Sequence, residues 1–163
     1  GSNFVYYWLK NHPKDKIRVL DALTYAGNYE NLRPIAKKIE FIKGDITNRG
    51  HLRQALKGVD AIVHYAAETH VDRSVFDPGS FWRANVVGTR ILLEEAKRAK
   101  VDRFHHISTD EVYGELPLDS KERFSESTPY APRPDNLYAI SKAEADRVVK
   151  DFYKETGIYR PRC

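Results

Sequence analysis

The chain has 163 residues, 41% of them apolar, a composition that supports one domain with a buried core and leaves too few residues for two. Its 27 basic and 23 acidic residues are interspersed, so the formal net charge of +4 forms no block of the kind that binds nucleic acid. No apolar run approaches the ~20 residues of a membrane span, and the single cysteine, Cys163, excludes an internal disulfide. We therefore expect a soluble, cytoplasmic protein with no nucleic-acid or membrane partner.

The two ends of the sequence suggest a piece of a longer protein. The opening residues, GSNFVYYWLKNHP, read as a helix that is already under way, and the chain contains no methionine. The closing residues, YKETGIYRPRC, leave a helix where a further strand is expected to begin. We therefore expect residues 1–163 to form one Rossmann-like domain that is incomplete at both ends.

Apolar periodicity and turn residues predict alternating helices and strands. The predicted strands are Ile17 to Asp21, then residues 39–45, 60–67 and 102–108. The predicted helices are the opening segment to about His12, a short helix ending near Pro34, and residues 49–58, 77–100 and 137–156, with a proline-rich loop over 116–136. This alternation predicts an α/β fold with a doubly wound parallel sheet.

Ligands bind such sheets beyond the carboxyl ends of the strands, so the residues that follow each strand are the candidate site. Asp21 ends the first strand about 20 residues after Gly1, the spacing at which an acid accepts hydrogen bonds from the adenosine ribose of a dinucleotide. An acid there favours NAD over NADP. The alternative is an aspartate that begins an ordinary turn.

Two further strand ends carry polar residues. Asp45, after the second strand, is placed to contact an adenine, although Gly-Asp is also common in turns. The segment YAAETH, residues 65–70, passes through two small side chains that let backbone approach a cofactor and then through three polar ones. A tight strand-to-helix turn explains the alanines but not the three polar residues.

Tyr138 and Lys142 lie one turn apart on one face of the last predicted helix. A cation so placed favours the phenolate and is expected to lower the pKa of Tyr138 toward neutrality, which makes the phenol a usable base. The pattern alone is not specific, because Tyr6 and Lys10 repeat it in the first helix.

The segment STDEVYG follows the fourth predicted strand. Thr109 has a hydroxyl that can hold a reacting oxygen, and the adjacent carboxylates of Asp110 and Glu111 can act as an acid and a base if their surroundings differ. The alternative is a solvated acidic turn.

These segments together resemble a known family. LDALTYAGN, GDITN, HYAAETHVDRS, NVVGT, STDEVYG and YAISKA, in this order and over essentially the whole chain, are similar to the extended short-chain dehydrogenase/reductases. Within that family they are most similar to the enzymes that dehydrate a nucleotide-linked glucose. Thr109-Asp110-Glu111 is the most specific element, since the related epimerases usually have other residues in place of the two acids.

The resemblance implies an intramolecular redox reaction on a nucleotide sugar, with NAD as cofactor. It implies that Tyr138, assisted by Lys142, takes the proton of the 4-hydroxyl and that Thr109 binds the same oxygen. Glu111 would take the proton from carbon 5, and Asp110 would protonate the departing 6-hydroxyl. The implied substrate is dTDP-glucose, although the residues that would contact the base are expected to lie outside the chain.

The resemblance also assigns a cofactor site. Its residues would be Gly1, Asp21, Ala22, Leu23, Thr24, Asp45, Ile46, Tyr65, Ala66, Ala67, Glu68, Ala84, Tyr138 and Lys142. Thr69 would contact the sugar beside Glu68, and Ala84 stands where relatives often have a hydroxyl residue. No metal is implied.

The same resemblance places a missing strand between those ending at Asp21 and Tyr65, so the 163 residues alone are expected to be unstable and inactive. A homodimer is expected through the helices at 77–100 and 137–156. The alternatives are a nucleotide-sugar epimerase or another sugar-nucleotide dehydratase, which would share Tyr138 and Lys142, and a non-catalytic NAD-binding domain, which would need neither.

Overall fold

The structure, a computed structural model, describes residues 1–117 and 119–157. Cys163 and the expected start of a further strand lie outside the described residues.

Four short strands form two parallel pairs. The first pair joins β1 (Ile17–Asp21) to β2 (Ile39–Lys43), and the second joins β3 (Ala61–His64) to β4 (Arg103–His106). Within the described ranges the two pairs are not hydrogen-bonded to each other. The predicted parallel α/β architecture is confirmed, and β1 and β3 each pair along one edge only.

Six α-helices surround these strands in the described part of the chain. They are α1 (Ser2–Asn11), α2 (Arg49–Ala55), α3 (Val71–Phe76), α4 (Pro78–Phe81), α5 (Thr89–Arg98) and α6 (Leu137–Thr156). Side-chain caps fix three of their starts: Asn48 accepts the Gly50 and His51 N–H groups, and Asp77 and Asn136 cap α4 and α6 in the same way. Gly157, in the left-handed conformation at φ 68°, ends α6 at the predicted place.

Three helical features differ from the sequence-based expectation. The prediction of a short helix that ends near Pro34 is wrong. Two 3-10 segments, Tyr29–Asn31 and Arg33–Lys38, occupy that region, and Pro34 lies near the start of the second segment instead of at the end of a helix. Helix α3 was not expected. The long helix predicted over 77–100 contains a π-helical stretch, Trp82–Gly88, between α4 and α5.

The core lies between α2, α5 and α6. Leu52 of α2, Leu93 of α5 and Phe152 of α6 are among its buried members. Ile46, which follows β2, packs into the same cluster and against Gly88, where an added Cβ would lie 2.7 Å from the Ile46 side chain. This packing holds α6 rigidly beside the second pair of strands, and α6 carries the candidate catalytic residues. No helix in the described ranges has the length and apolarity needed to cross a membrane.

Candidate active site

Helix α6 presents Tyr138 and Lys142 to the end of β4. Both side chains are buried, with exposed fractions of 9% and 5%. The Lys142 ammonium donates a hydrogen bond to the backbone carbonyl oxygen of Ile107, at an Nζ to O distance of 2.6 Å. This contact attaches α6, at Lys142, to the backbone directly after β4.

The two adjacent acids lie on a 3-10 turn, Asp110–Tyr113, directly after β4. Thr109 caps the turn by accepting the Glu111 N–H, and its hydroxyl donates to Asp110 at 3.3 Å. Gly114 ends the turn at φ 95°, where an added Cβ would lie 2.6 Å from the Ala131 carbonyl oxygen. The Thr109 cap and the close packing at Gly114 therefore fix the backbone of the turn that carries the Asp110 and Glu111 carboxylates.

Asn136 joins this acidic turn to α6. Its Nδ2 donates to Glu111 Oε2 at 2.6 Å, and its Oδ1 accepts the Ala139 N–H at 2.9 Å. One side chain thus holds Glu111 and the start of α6, two residues before Tyr138. The interpretation of the acids as a solvated turn does not account for this bridge.

The surroundings of Tyr138 contradict one sequence-based expectation. Burial raises the pKa of Tyr138, the interaction with the Thr109 hydroxyl lowers it, and the carboxylates of Glu111 and Asp110 raise it, with a raised pKa as the net result. The expected net lowering of this pKa is wrong for this structure, because burial of the phenol and the nearby carboxylates raise it. The same influences mean that both acids lie near the phenol.

Residues 21–27, after β1, form a tight turn. Asp21 Oδ1 accepts the Leu23 N–H at 2.7 Å, and Leu23 has the unusual φ of 50° for a residue with a side chain. Gly27 approaches so closely that an added Cβ would lie 2.5 Å from the Leu23 Cα. Ala22 is half-buried and Thr24 is exposed in this turn. Asp21 therefore begins a turn and also stands at a strand end, as both interpretations require.

Asp45 and Ile46 point to different environments after β2. Asp45 is exposed, and its Oδ1 accepts both the N–H and the hydroxyl of Thr47, so it acts as a turn residue. The Ile46 side chain is buried in the core, which leaves only its backbone to face a ligand.

The start of α1 lies beside the end of β3. The rings of Phe4 and Tyr65 have centroids 5.6 Å apart, and Gly1 is the exposed N-cap residue of α1. This contact brings the amino end of a helix, which attracts anions, near residues 65–67. Ala66 is exposed and Ala67 is half-buried.

A buried amide fixes the loop after β3. Asn85, 1% exposed in the π-helical stretch, accepts the Glu68 N–H at 2.8 Å and donates to the Glu68 carbonyl oxygen at 2.9 Å. The same amide donates to Ser141 Oγ of α6 at 2.8 Å. The loop that carries Glu68 is therefore attached to the residue next to Lys142. Thr69 is exposed beside it, and Ala84 is half-buried next to Asn85.

Helix α3, which follows β3 in the chain, contacts the turn after β1, although β1 and β3 do not pair in the described ranges. The Tyr25 ring lies under the Arg73 guanidinium at 3.7 Å, and burial and the Glu68 carboxylate raise the pKa of the Tyr25 phenol. The candidate cofactor residues after the two strands are thus joined into one surface.

Three residues of this site were not predicted from the sequence. Asn136 and Asn85 carry the two bridges, and Asp146 accepts hydrogen bonds from side chains at the end of β4. The position of Asn136 before a helix was a visible capping signal. Asp146 continues the four-residue spacing of Tyr138 and Lys142, whereas no sequence signal distinguished Asn85. In residues 1–117 and 119–157, no group of three or more His, Cys, Asp or Glu residues is arranged to hold a metal ion.

Relatives of known sequence match nearly the whole chain. It is 47% identical over 158 residues to the dTDP-glucose 4,6-dehydratase of Mycolicibacterium smegmatis, an alignment that covers 97% of this chain and 47% of that protein. The chain spans about half the length of the curated relatives that it matches.

Solved structures match as well. The dTDP-glucose 4,6-dehydratase DesIV of Streptomyces venezuelae, solved with NAD and TYD bound, is 44% identical, with a TM-score of 0.89 over 97% of this chain and 49% of that one. The UDP-glucose 4-epimerase of Thermus thermophilus, solved with NAD, is 30% identical, with a TM-score of 0.83 over 97% of this chain and 49% of that one. The sequence model described as GDP-mannose 4,6 dehydratase matches residues 1–161, and the chain belongs to that family.

Proposed function

We propose that the protein is an NAD-dependent sugar-nucleotide dehydratase, a hydro-lyase that converts dTDP-glucose to the 4-keto-6-deoxy sugar. The observation that carries the proposal is the attachment of Glu111 to the start of α6 through Asn136. An elimination needs a base and an acid at neighbouring carbons beside the oxidising centre, and this bridge holds the acidic turn against Tyr138.

The chemistry of the residues after the strands fits NAD. A carboxylate at the end of β1 suits ribose hydroxyls, and the turn after it packs so closely at Gly27 that a side chain there would meet Leu23 and the Asp21 carboxylate. We propose that residues 1–163 form the NAD-binding unit, with the fourteen cofactor residues and Thr69 in the roles that the resemblance implies. NAD held by these residues would supply a hydride acceptor for carbon 4 and a hydride donor for carbon 6.

The residues of the chain then act in sequence. Tyr138 takes the proton of the 4-hydroxyl, whose oxygen Thr109 binds, and Lys142, held by the Ile107 carbonyl oxygen, assists it from one helical turn away. The ketone at carbon 4 acidifies the proton on carbon 5, which Glu111 removes. Asp110 donates a proton to the 6-hydroxyl, and the carbon–oxygen bond breaks with loss of water. When carbon 6 is reduced, Glu111 returns its proton to carbon 5.

The product identifies the reaction. The full-length protein, incubated with NAD and dTDP-glucose, is expected to form a 4-keto-6-deoxy sugar, which is measured by its ultraviolet absorbance in alkali and by a mass loss of one water. Formation of the C4 epimer without a change in mass would instead support an epimerase, which the structural similarity to UDP-glucose 4-epimerases makes the nearest rival. Cofactor binding without turnover of any glucose nucleotide would support the non-catalytic alternative.

The expected homodimer is also a proposal. Trp82 and Val87, on the helical segment between α4 and α5, are 49% and 40% exposed, and apolar side chains of this size support a contact surface there. Sedimentation equilibrium of the full-length protein is expected to give twice the protomer mass. A monomer at micromolar concentration would contradict the proposal.

A further inference from the structure

Helix α6 carries a buried carboxylate that the proposed reaction does not use. Asp146 is 7% exposed and lies one turn beyond Lys142 on the face that carries Tyr138. An isolated buried carboxylate is costly, so its partners indicate what keeps it there.

Both oxygens of this carboxylate accept hydrogen bonds from side chains of other segments. Oδ1 faces His106 Nε2 at 3.0 Å, and Oδ2 accepts from the Ser108 hydroxyl at 2.6 Å and the Tyr130 hydroxyl at 2.9 Å. His106 ends β4, Ser108 follows it, and Tyr130 belongs to the loop before α6. The carboxylate therefore attaches the end of β4 and this loop to α6.

The attachment has a direct consequence for Lys142. The two residues that flank Ile107 are both held by Asp146, and the Ile107 carbonyl oxygen is the acceptor of the Lys142 ammonium. Thr109, two residues farther along, begins the acidic turn. A shift of residues 106–108 would thus move the acceptor of Lys142 and the Thr109 hydroxyl together.

We propose that Asp146 is a positioning residue for the Tyr138–Lys142 pair, which fastens the end of β4 to α6 and supplies a buried negative charge one helical turn from Lys142. The inference rests on the proposed function for its catalytic consequence, but its structural part concerns the proton affinities of two side chains and can be measured without a substrate.

The other ionisable groups around Asp146 leave it as the dominant charge. Burial lowers the pKa of His106 and, more strongly, that of His64, whose ring centroid lies 5.3 Å from that of His106, so both imidazoles are neutral at neutral pH. His106 then donates from Nε2, because a carboxylate can only accept, and Nδ1 has no hydrogen-bond partner that would favour a second proton. Lys150 donates to the Tyr130 hydroxyl at 2.9 Å and so lies beyond the first partner.

The direction of the electrostatic effect follows from these contacts. Burial raises the pKa of Asp146, but the hydrogen bonds from His106 and Ser108 outweigh it and keep the carboxylate ionised. Burial lowers the pKa of Lys142, and the Asp146 charge opposes that change. The same charge raises the pKa of Tyr138. Its removal should lower both pKa values.

The test replaces the carboxylate by an amide of the same shape in the full-length protein. The reaction needs Tyr138 deprotonated and Lys142 protonated, so Asp146→Asn is expected to move both limbs of the pH profile of kcat/KM to lower pH. The displaced contacts should also lower kcat roughly 10- to 100-fold. Asp151→Asn, the same change at an exposed site on the same helix, should leave the limbs in place. A lower rate with unmoved limbs would reduce Asp146 to a structural residue and overturn the inference.

Two further measurements keep the inference testable if that profile is inaccessible. The part of the tyrosinate absorbance that is lost in Tyr138→Phe reports the titration of the Tyr138 phenol directly. In the Asp146→Asn variant this titration should occur at lower pH, and the measurement needs no turnover of a sugar nucleotide. Tyr130→Phe, in a half-buried loop residue, removes one donor to Asp146 and should lower kcat about 2- to 10-fold at constant KM for the sugar. An unmoved phenol titration, or an unchanged kcat in Tyr130→Phe, would contradict the positioning role, whereas an inactive parent protein would contradict only the proposed function.

Discussion

In the full-length protein, Glu111→Gln is expected to abolish water loss while the sugar is still oxidised. Glutamine keeps the shape and an oxygen that can accept from Asn136 Nδ2, so the bridge to α6 is preserved. It cannot take the proton from carbon 5. Loss of a general base lowers a reaction rate by about 10²- to 10⁴-fold, so the rate at which the 4-keto-6-deoxy product forms should fall by that factor.

The two halves of the reaction separate in a single mixing experiment. Because Tyr138 and Lys142, and not Glu111, are proposed to serve the oxidation at carbon 4, the absorbance of reduced nicotinamide should rise and then persist in Glu111→Gln. Glu115→Gln is the matched control, because Glu115 lies four residues away, is exposed and pairs with the exposed Arg133. Normal product formation by Glu111→Gln would remove Glu111 from the reaction.

Tyr138→Phe is expected to stop the reaction one step earlier. The ring still packs at a site that is 9% exposed, but the proton of the 4-hydroxyl has no acceptor. The same 10²- to 10⁴-fold loss, estimated for a general base, should now affect cofactor reduction as well as product formation. Affinity for NAD should change little, since Tyr138 is one of fourteen residues proposed to bind it.

The first helix offers a control with the same motif. Tyr6 and Lys10 repeat the spacing of Tyr138 and Lys142, but Tyr6 is 37% exposed and donates to the Asn31 carbonyl oxygen. Tyr6→Phe should therefore keep cofactor reduction within a factor of about two, as surface substitutions usually do. Rapid reduction of the cofactor by Tyr138→Phe would show that another group takes the proton.

The strands and the last helix were predictable because local signals determine them. β1 has the predicted bounds, and Asn136 and Gly157 mark α6 as sequence rules require. The π-helical stretch was not predictable, because its apolar pattern is that of an α-helix and its buried Asn85 is held by contacts with Glu68 and Ser141. Helix α3 is six residues long and has no side-chain cap, so it lacked a signal of its own.

The candidate site, too, was predictable from the sequence only in part. Motif spacing and resemblance placed Tyr138, Lys142, Thr109 and the two acids on segments that the structure brings together. The predicted direction of the Tyr138 pKa shift was wrong, because it depends on the burial of the phenol and on the carboxylates around it, and only the fold shows these. Asp146 was missed for the same reason, since its partners are 16 to 40 residues away in sequence.

A crystal structure of the full-length protein with NAD and dTDP-glucose would test the central claim most directly. We expect a single hexose whose 4-oxygen lies within hydrogen-bond distance of both the Tyr138 and Thr109 hydroxyls, with the Glu111 carboxylate facing carbon 5 and Asp110 nearest the 6-oxygen. A bound sugar that contacts Tyr138 but leaves the carboxylates of both acids turned toward solvent would contradict it.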